Sequence, residues 1–501
     1  MAIYDIYKSV IDNLEFDTVR GAAPKIINTS GDIYAIVYSG VDNDGWIKTA
    51  EITSTGSGEG TISSVIDSLE FAPNITCFGQ RIVHISGDIF AIVYIDDAAN
   101  TGYIVTVEID SSGNITNSLI DGPVTFQTPI AQSLALIKIA SGIYAICYST
   151  DGFDAFVVTW GISDAGTIDI AATDSLEFDT QSGDDFVIIE VGSGVYAIVY
   201  EGYGTGAILK DAPMIKTVGI NSTGAITGAV IDSFEIQQSL TDSNPSIVNV
   251  DGSIYAVSYT GTGSDGFLIT ISISSAGNIG AAIIDTLEFD TSDGRDTSIV
   301  KITGDYYAIA YRGTGTGPVS TTDGQICTVE VSTLGNIGAA ILDSFEFEGG
   351  SAFVPQVILV SSATSGLLAI VYQDSATDGR LVTIGIGSWP LPVNPVYPAD
   401  PLTRVTGIIH RYDRLKGIFQ SEVSLGDVTS LLEIRYDSNI ADMNFRQRIS
   451  ETNKLAIEKA SSQIATDMIR YLNFRNMGEE MMKQKKEARR IRVIQPTKYE
   501  S

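Results

Sequence analysis

The chain repeats one pentapeptide seven times. It reads "YAIVY" at Tyr34, "FAIVY" at Phe90, "YAICY" at Tyr144, "YAIVY" at Tyr196, "YAVSY" at Tyr255, "YAIAY" at Tyr307 and "LAIVY" at Leu368. Successive copies lie 52 to 61 residues apart. Self-similarity at this spacing means a solenoid, a propeller or an array, because each unit must bury its apolar face against the next. Around each pentapeptide the sequence predicts four strands. A short β-rich run such as "SIVKIT" (Ser298 to Thr303) comes first, then a tight turn, then the pentapeptide. Asp-Gly turns follow at Asp44-Gly45, Asp151-Gly152, Asp265-Gly266, Asp323-Gly324 and Asp378-Gly379. Between two β-rich runs, Asp-Gly is a hairpin signal in which glycine is expected to supply a positive φ. A third run carries Thr at 49, 106, 217, 270, 328 and 383, and a turn with Gly113, Gly166, Gly224, Gly277 or Gly335 leads to a fourth, "VIDSLEF"-like run. Ile, Val, Tyr, Phe and Thr suit a pleated surface, and their near-continuous apolar runs imply strands covered on both faces. Stacked four-stranded blades supply that cover.

Counting fourth runs fixes the closure. They fall at Ser9–Phe16, Ser64–Phe71, Ser118–Phe126, Thr173–Phe178, Val230–Ile236, Ile283–Phe289 and Ile341–Phe347. The first stands before any complete unit. The last unit runs through "RLVTIGI" into "GSWPLPVNPVYPADP" without a fourth run of its own. The sequence therefore predicts an all-β, seven-bladed β-propeller over residues 1–389, in which the N-terminal strand completes the last blade. Closure hides the edges that an open array would leave free to aggregate.

Charge is partitioned along the chain. Residues 1–402 hold 12 Lys+Arg against 48 Asp+Glu, and residues 403–501 hold 18 against 13. Such asymmetry suggests two parts with different partners. The acidic part should repel nucleic acid and anionic membranes. Cys77, Cys147 and Cys327 are too widely spaced for a disulfide framework or a cysteine-rich zinc site. Cys147, inside "YAICY", reads as a small core residue. The start "MAIYDIYKSVIDNLEF" has no basic region followed by an unbroken apolar one, so no secretory signal is expected. No run of about 20 apolar residues is present to span a membrane.

After the ring, residues 390–402 read as a Pro-rich extended linker. Residues 403–437 read as a β-hairpin segment with its turn at Arg414 to Gly417. Residues 438–501 read as a helical, basic C-terminal anchor, in which Ile457, Ile464, Met468 and Leu472 fall near one helix face. Those four residues, with Arg404 and Arg411, are the expected assembly contacts. A basic tail with few aromatics and no folded motif makes nucleic acid an unlikely partner; docking of an amphipathic helix on another protein is preferred.

No catalytic constellation emerges. His84 occupies a first-run slot that other units fill with Asn28, Lys138, Glu190, Asn249 and Lys301, and His410 lies in the later hairpin. There is no G-x-S-x-G elbow, and "GTGTG" at Gly313 to Gly317 lacks the Gly-Lys-Ser/Thr of a phosphate loop. The chain is not expected to be an enzyme. The repeated carboxylates are the best candidate site: one Asp and one Glu per fourth run, among them Asp12 with Glu15, Asp67 with Glu70, and Asp285 with Glu288. Two readings are open. They could hold a hard cation such as calcium if loop carbonyls completed the shell. They could instead pair with turn amides and keep the outer strand unpaired. The second is favoured, and no cofactor is expected.

In its ring closure the repeat resembles WD-repeat propellers, although their Gly-His and Trp-Asp signatures are absent. The repeat itself resembles those of archaeal, bacterial and viral surface or virion proteins. The strand pair "RVTGIIHRYDRLKGIFQSEVSLGD" (Arg404 to Asp427) resembles segments near the ends of tailed-phage hub and baseplate proteins, where an H-x-Y strand precedes one ending in Leu-Gly. These resemblances imply a structural or adhesion component of a virion, made in the host cytoplasm, with the propeller displayed outward toward a host glycan or protein. Residues 403–501 would join it to other structural proteins. The alternative is a carbohydrate- or protein-binding propeller of a prokaryotic cell, in the cytoplasm or at the surface, whose Trp46, Tyr103 and Phe267 could line repeated inter-blade pockets.

Overall fold

A computed structural model describes residues 5–387, apart from 130–132, 151, 204–211, 238–242, 315–321 and 362–365. Within them the chain forms seven four-stranded antiparallel sheets. Six are built from four consecutive strands, the first being Ala22–Ser30, Ile33–Ser39, Gly45–Glu51 and Asp67–Ala72. The seventh joins Ala352–Ser361, Gly366–Asp374 and Gly379–Ile386 to the N-terminal strand Asp12–Asp17. That strand pairs Asp12 with Thr383 and Leu14 with Leu381, so the expected closure is present. The strand and helix expected after the linker, and with them Arg404, Arg411, Ile457, Ile464, Met468 and Leu472, lie outside the described residues.

The pentapeptide is the second strand of each blade, and its burial explains its composition. In blade one every residue from Ile33 to Ser39 is buried. Its two flanks are hydrogen-bonded to sister strands, and its two faces meet the neighbouring blades. The core accordingly lies between blades rather than within them. One cluster joins Val37, Ile47 and Phe71 of blade one to Phe90, Ile92 and Tyr94 of blade two. The cluster at the closure joins Phe16, Leu367 and Val371 of blade seven to Ile36 and Tyr38 of blade one. A single blade therefore has no core of its own.

The Asp-Gly turns differ from expectation in one respect. Gly45, Gly266, Gly324 and Gly379, with Gly102 at the equivalent place after Thr101, do not have positive φ. They are glycines because the Phe of the "LEF" run lies flat on them. A Cβ on Gly45 would meet Phe71 at 2.6 Å, and one on Gly266 would meet Phe289 at 2.5 Å. The repeated Gly and the repeated Phe are thus two halves of one packing contact across the third and fourth strands.

Candidate functional site

The repeated aspartates are inter-blade clamps. Each fourth-strand Asp accepts a hydrogen bond through one oxygen from the N–H of the next residue, and through the other from an Ile N–H in the following blade. The second bond runs from Ile62 to Asp12, Ile115 to Asp67, Ile226 to Asp174, Ile279 to Asp232 and Ile337 to Asp285, each at 2.8 Å. Ile168 donates to Asp121 at 2.9 Å. Ile6 donates to Asp343 at 2.8 Å, which completes the circle. Burial alone pushes the Asp343 carboxyl up, but Lys8 and the N–H groups of Ile6 and Ser344 outweigh it and hold the group below the usual range. Asp12, Asp67 and Asp285 stand one per seam. Their glutamate companions Glu15, Glu70 and Glu288 lie three residues on and so face the other side of the strand. A hydrogen bond with Asp378, then burial, raises the Glu15 carboxyl; a hydrogen bond with Asp44 raises that of Glu70. Glu288 is exposed. Among the described residues no three His, Cys, Asp or Glu side chains converge as a cation site.

A second clamp runs beside the first. The buried third-strand threonines donate to the carbonyl of a turn glycine one blade on: Thr49 to Gly113 at 2.6 Å, Thr106 to Gly166 at 2.8 Å, and Thr217 to Gly277 at 2.7 Å. Thr159 to Gly224 and Thr383 to Gly60 repeat it. The glycines are required here, with φ of +89° at Gly113 and +91° at Gly277. Thr159 and Gly60 escape a reading by pattern. Gly60 follows a short 3-10 turn at Gly56–Gly58 that lengthens the first blade's loop. A third contact caps the pentapeptide tyrosines from the preceding blade: Asp17 accepts from Tyr38 at 2.7 Å, Gln127 from Tyr148 at 3.1 Å and Glu348 from Tyr372 at 3.0 Å.

His84 caps its own hairpin turn, with Nε2 2.8 Å from the Gly87 carbonyl. Asn28 and Asn249 do the same to Gly31 and Gly252, so the slot is structural. Tyr103 and Phe267 pack on the cross-strand Tyr94 and Tyr259 of their own blades, and Trp46 stands opposite Tyr38. The three cysteines are buried and unpaired.

The repeat gives way to variety where the first strands begin. At one mouth of the central channel each blade holds one residue in the left-handed region: Ala23, Gly79, Ser133, Asp185, Asn244, Asp296 and Val354. In blades one, two, four, six and seven a register shift marks a bulge at this point. Bulges re-aim the side chains beside them. They surround a cavity of about 390 Å³ that touches all seven first strands.

Two residues past the bulge, neighbouring blades differ in use. Ser246, Ser298 and Gln356 accept N–H bonds from Ile299, Val357 and Ile26 of the following blade. The same position in blades one and two carries Lys25 and Arg81. Arg81 donates through Nη1 to the carbonyls of Gly79 and Gln80, at 3.2 and 2.9 Å. Facing them, Asp185 accepts from Asn244, and Asp296 accepts from Arg312 at 2.8 Å and from the Val354 N–H. Burial, then the charge of Arg81, pushes the Lys25 ammonium down to about 7. Burial, then Asp184 and Asp296, pushes the Asp185 carboxyl up to about 7. Neither the left-handed positions nor the charge pairing is visible in a sequence where this region reads as a short variable run.

No family model matches the chain, and no curated protein is similar to it in sequence. Several solved structures are similar to it in shape. The BP39L lectin of Burkholderia pseudomallei aligns with a TM-score of 0.49 at 9% identity, covering 74% of this chain and 97% of the lectin. The periplasmic gluconolactonase PpgL of Pseudomonas aeruginosa gives 0.43 at 10%, covering 64% and 84%. The NanB sialidase of Streptococcus pneumoniae gives 0.40 at 10%, covering 74% and 69%. It is the chain's own sheet order that makes it a seven-bladed propeller.

Proposed function

We propose that the chain is a non-enzymatic binding and adhesion propeller, and that it takes its ligand at the channel mouth where Lys25, Arg81, Asp185 and Asp296 meet. One observation carries this reading. The blade seams are built from the same clamp repeated around the ring, whereas the mouth carries a different side chain in nearly every blade around a space of ligand size. A scaffold needs only the former. A glycan array probed with the intact protein, beside an Asp185→Asn variant of equal melting temperature, tests it. Binding that the variant loses supports the reading. Binding indifferent to Asp185 removes the mouth from it, and turnover of any captured glycan would overturn the non-enzymatic assignment.

The wider setting we propose is a virion, with residues 403–501 joining the acidic propeller to other structural proteins. The charge partition between residues 1–402 and 403–501 favours this. The test is whether the native protein is recovered inside a large particle, and whether a chain ending at residue 402 folds but no longer assembles. Recovery of the native protein only as a free chain would count against it.

A further inference from the structure

We infer that the ligand of the channel mouth is a small hydroxy acid of monosaccharide size, its carboxylate held by Lys25 and Arg81 and its hydroxyl groups donating across the channel to Asp185. This rests on the mouth being the binding site and goes on to name the chemistry bound.

The argument begins with what basic side chains do elsewhere in the ring. Lys48 and Lys216 pair with Asp17 and Asp179 at 3.0 and 2.8 Å. Arg312 and Arg380 pair with Asp296 and Asp374, each at 2.8 Å. Lys138 and Lys301 donate to the carbonyls of Ile85 and Val250. In so acidic a propeller a cation finds a partner readily. The Lys25 ammonium nevertheless makes no hydrogen bond or ion pair among the described residues. It lines the cavity at the register position that Ser246, Ser298 and Gln356 use to tie adjacent strands. Arg81, at that position in the next blade, is steadied by two backbone carbonyls through Nη1 alone, which leaves Nε and Nη2 for another acceptor. A guanidinium with a free edge beside an ammonium is a carboxylate site.

The opposite wall sets the rest of the ligand. Both bonds accepted by Asp296 fall on Oδ2, from Arg312 and the Val354 N–H, which makes it part of the wall. Asp185 uses one oxygen on Asn244 and keeps the other for a donor. With Asp296 paired to Arg312, the groups left facing the space are Lys25 and Arg81 against Asp185. The basic pair therefore stands apart from the one carboxylate with an open oxygen, and an anionic group on the ligand is matched by Lys25 and Arg81. The space, about 390 Å³, suits a ligand with the bulk of a single sugar. The charged groups facing Lys25 are Arg81, Asp185 and Asp296. An arriving carboxylate offsets Arg81 and favours the charged ammonium, so binding takes up a proton at and above neutral pH.

Isothermal titration of the full chain with D-glucuronate, D-glucose and D-glucosamine reads this directly. D-glucuronate should bind at least about tenfold more tightly than the other two. Lys25→Met should lose about tenfold or more, and Lys25→Arg should recover most of it. Asp185 titrates in the same range and accepts hydroxyls better as it ionises, so the Lys25 contribution is read in the ratio of the affinities of the unaltered chain and Lys25→Met for D-glucuronate, which should fall about tenfold between about pH 6.5 and about pH 8.5. Lys25→Met should retain only the opposite pH dependence set by Asp185, affinity rising as that carboxyl ionises. Since the Lys25 ammonium has no partner to orphan, the variant should melt with the native protein; if it does not, Lys25→Arg, whose cation does not titrate in this range, takes its place in the ratio. Equal binding of D-glucose, or a ratio to Lys25→Met that ignores pH, overturns the inference while leaving a neutral-sugar site possible at the mouth. D-glucuronate without detectable binding also overturns it. A glycan-array signal that ignores Asp185 defeats the underlying reading instead.

Discussion

Deleting residues 1–18 removes the strand that completes blade seven, and the cost can be worked from its contacts. Ile6 and Phe16 are 0% and 2% exposed, and burying a side chain of that size stabilises by about 1.5–3 kcal/mol. Three seam hydrogen bonds go with them: Ile6 to Asp343, Ile62 to Asp12, and Tyr38 to Asp17. Each contributes about 1 kcal/mol net. The sum is roughly 6–9 kcal/mol. In a ring of this size 1 kcal/mol moves the melting temperature by about 1–2 °C, so the truncated chain should melt on the order of 10 °C lower. It should also aggregate, because Gly379–Ile386 becomes a bare edge. Scanning calorimetry of the two chains reads the shift, and a synthetic peptide of residues 5–18 added in trans should restore most of it. A truncated chain that melts within about 2 °C of the intact one would refute closure by this strand.

Other expectations follow from the same contacts. Thr217→Val leaves the buried Gly277 carbonyl without its donor and should cost about 1–2 kcal/mol, seen as a lower urea midpoint with unchanged slope. Asp343 titrates below the usual carboxylate range in the folded state, so the unfolded chain takes up its proton first. Its contribution is present above about pH 4 and lost as pH falls through the folded value; urea midpoints at about pH 6 and pH 3 should converge in an Asp343→Asn variant relative to the native chain. Burial pushes all three thiols up, so Cys77, Cys147 and Cys327 should resist a disulfide reagent in the native state and react together in denaturant.

The architecture was legible because its causes are repeated. Seven pentapeptides mark seven central strands, and an unpaired "VIDNLEF" at the start can only be partnered by an unfinished blade at the end. The turn glycines were recognised but their reason was misjudged: Asp-Gly looks the same whether it serves a positive φ or a ring packed on its Cα, and Phe71 decides which. The aspartate slot was visible as a repeat, but its partner, an Ile N–H some fifty residues on, is a backbone group that no side chain advertises. The channel mouth was not legible for a related reason. Ala23, Asp185 and Val354 share a backbone conformation and no chemistry, so no column of like residues reveals that Lys25 and Arg81 face one space.

The seam clamps also bear on where such a chain can be cut. Each aspartate reaches forward by one blade, and the bond from Ile6 to Asp343 is the same as those from Ile115 to Asp67 or Ile279 to Asp232. The discontinuity inside blade seven therefore leaves the series of clamps unbroken. Joining residues 5 and 387 and reopening the chain between Ser118 and Asp121 would give a permutant with every coupling intact. Blade identity in this molecule is thus relational: a blade is defined by what it hands to its successor, and any of the seven could come first.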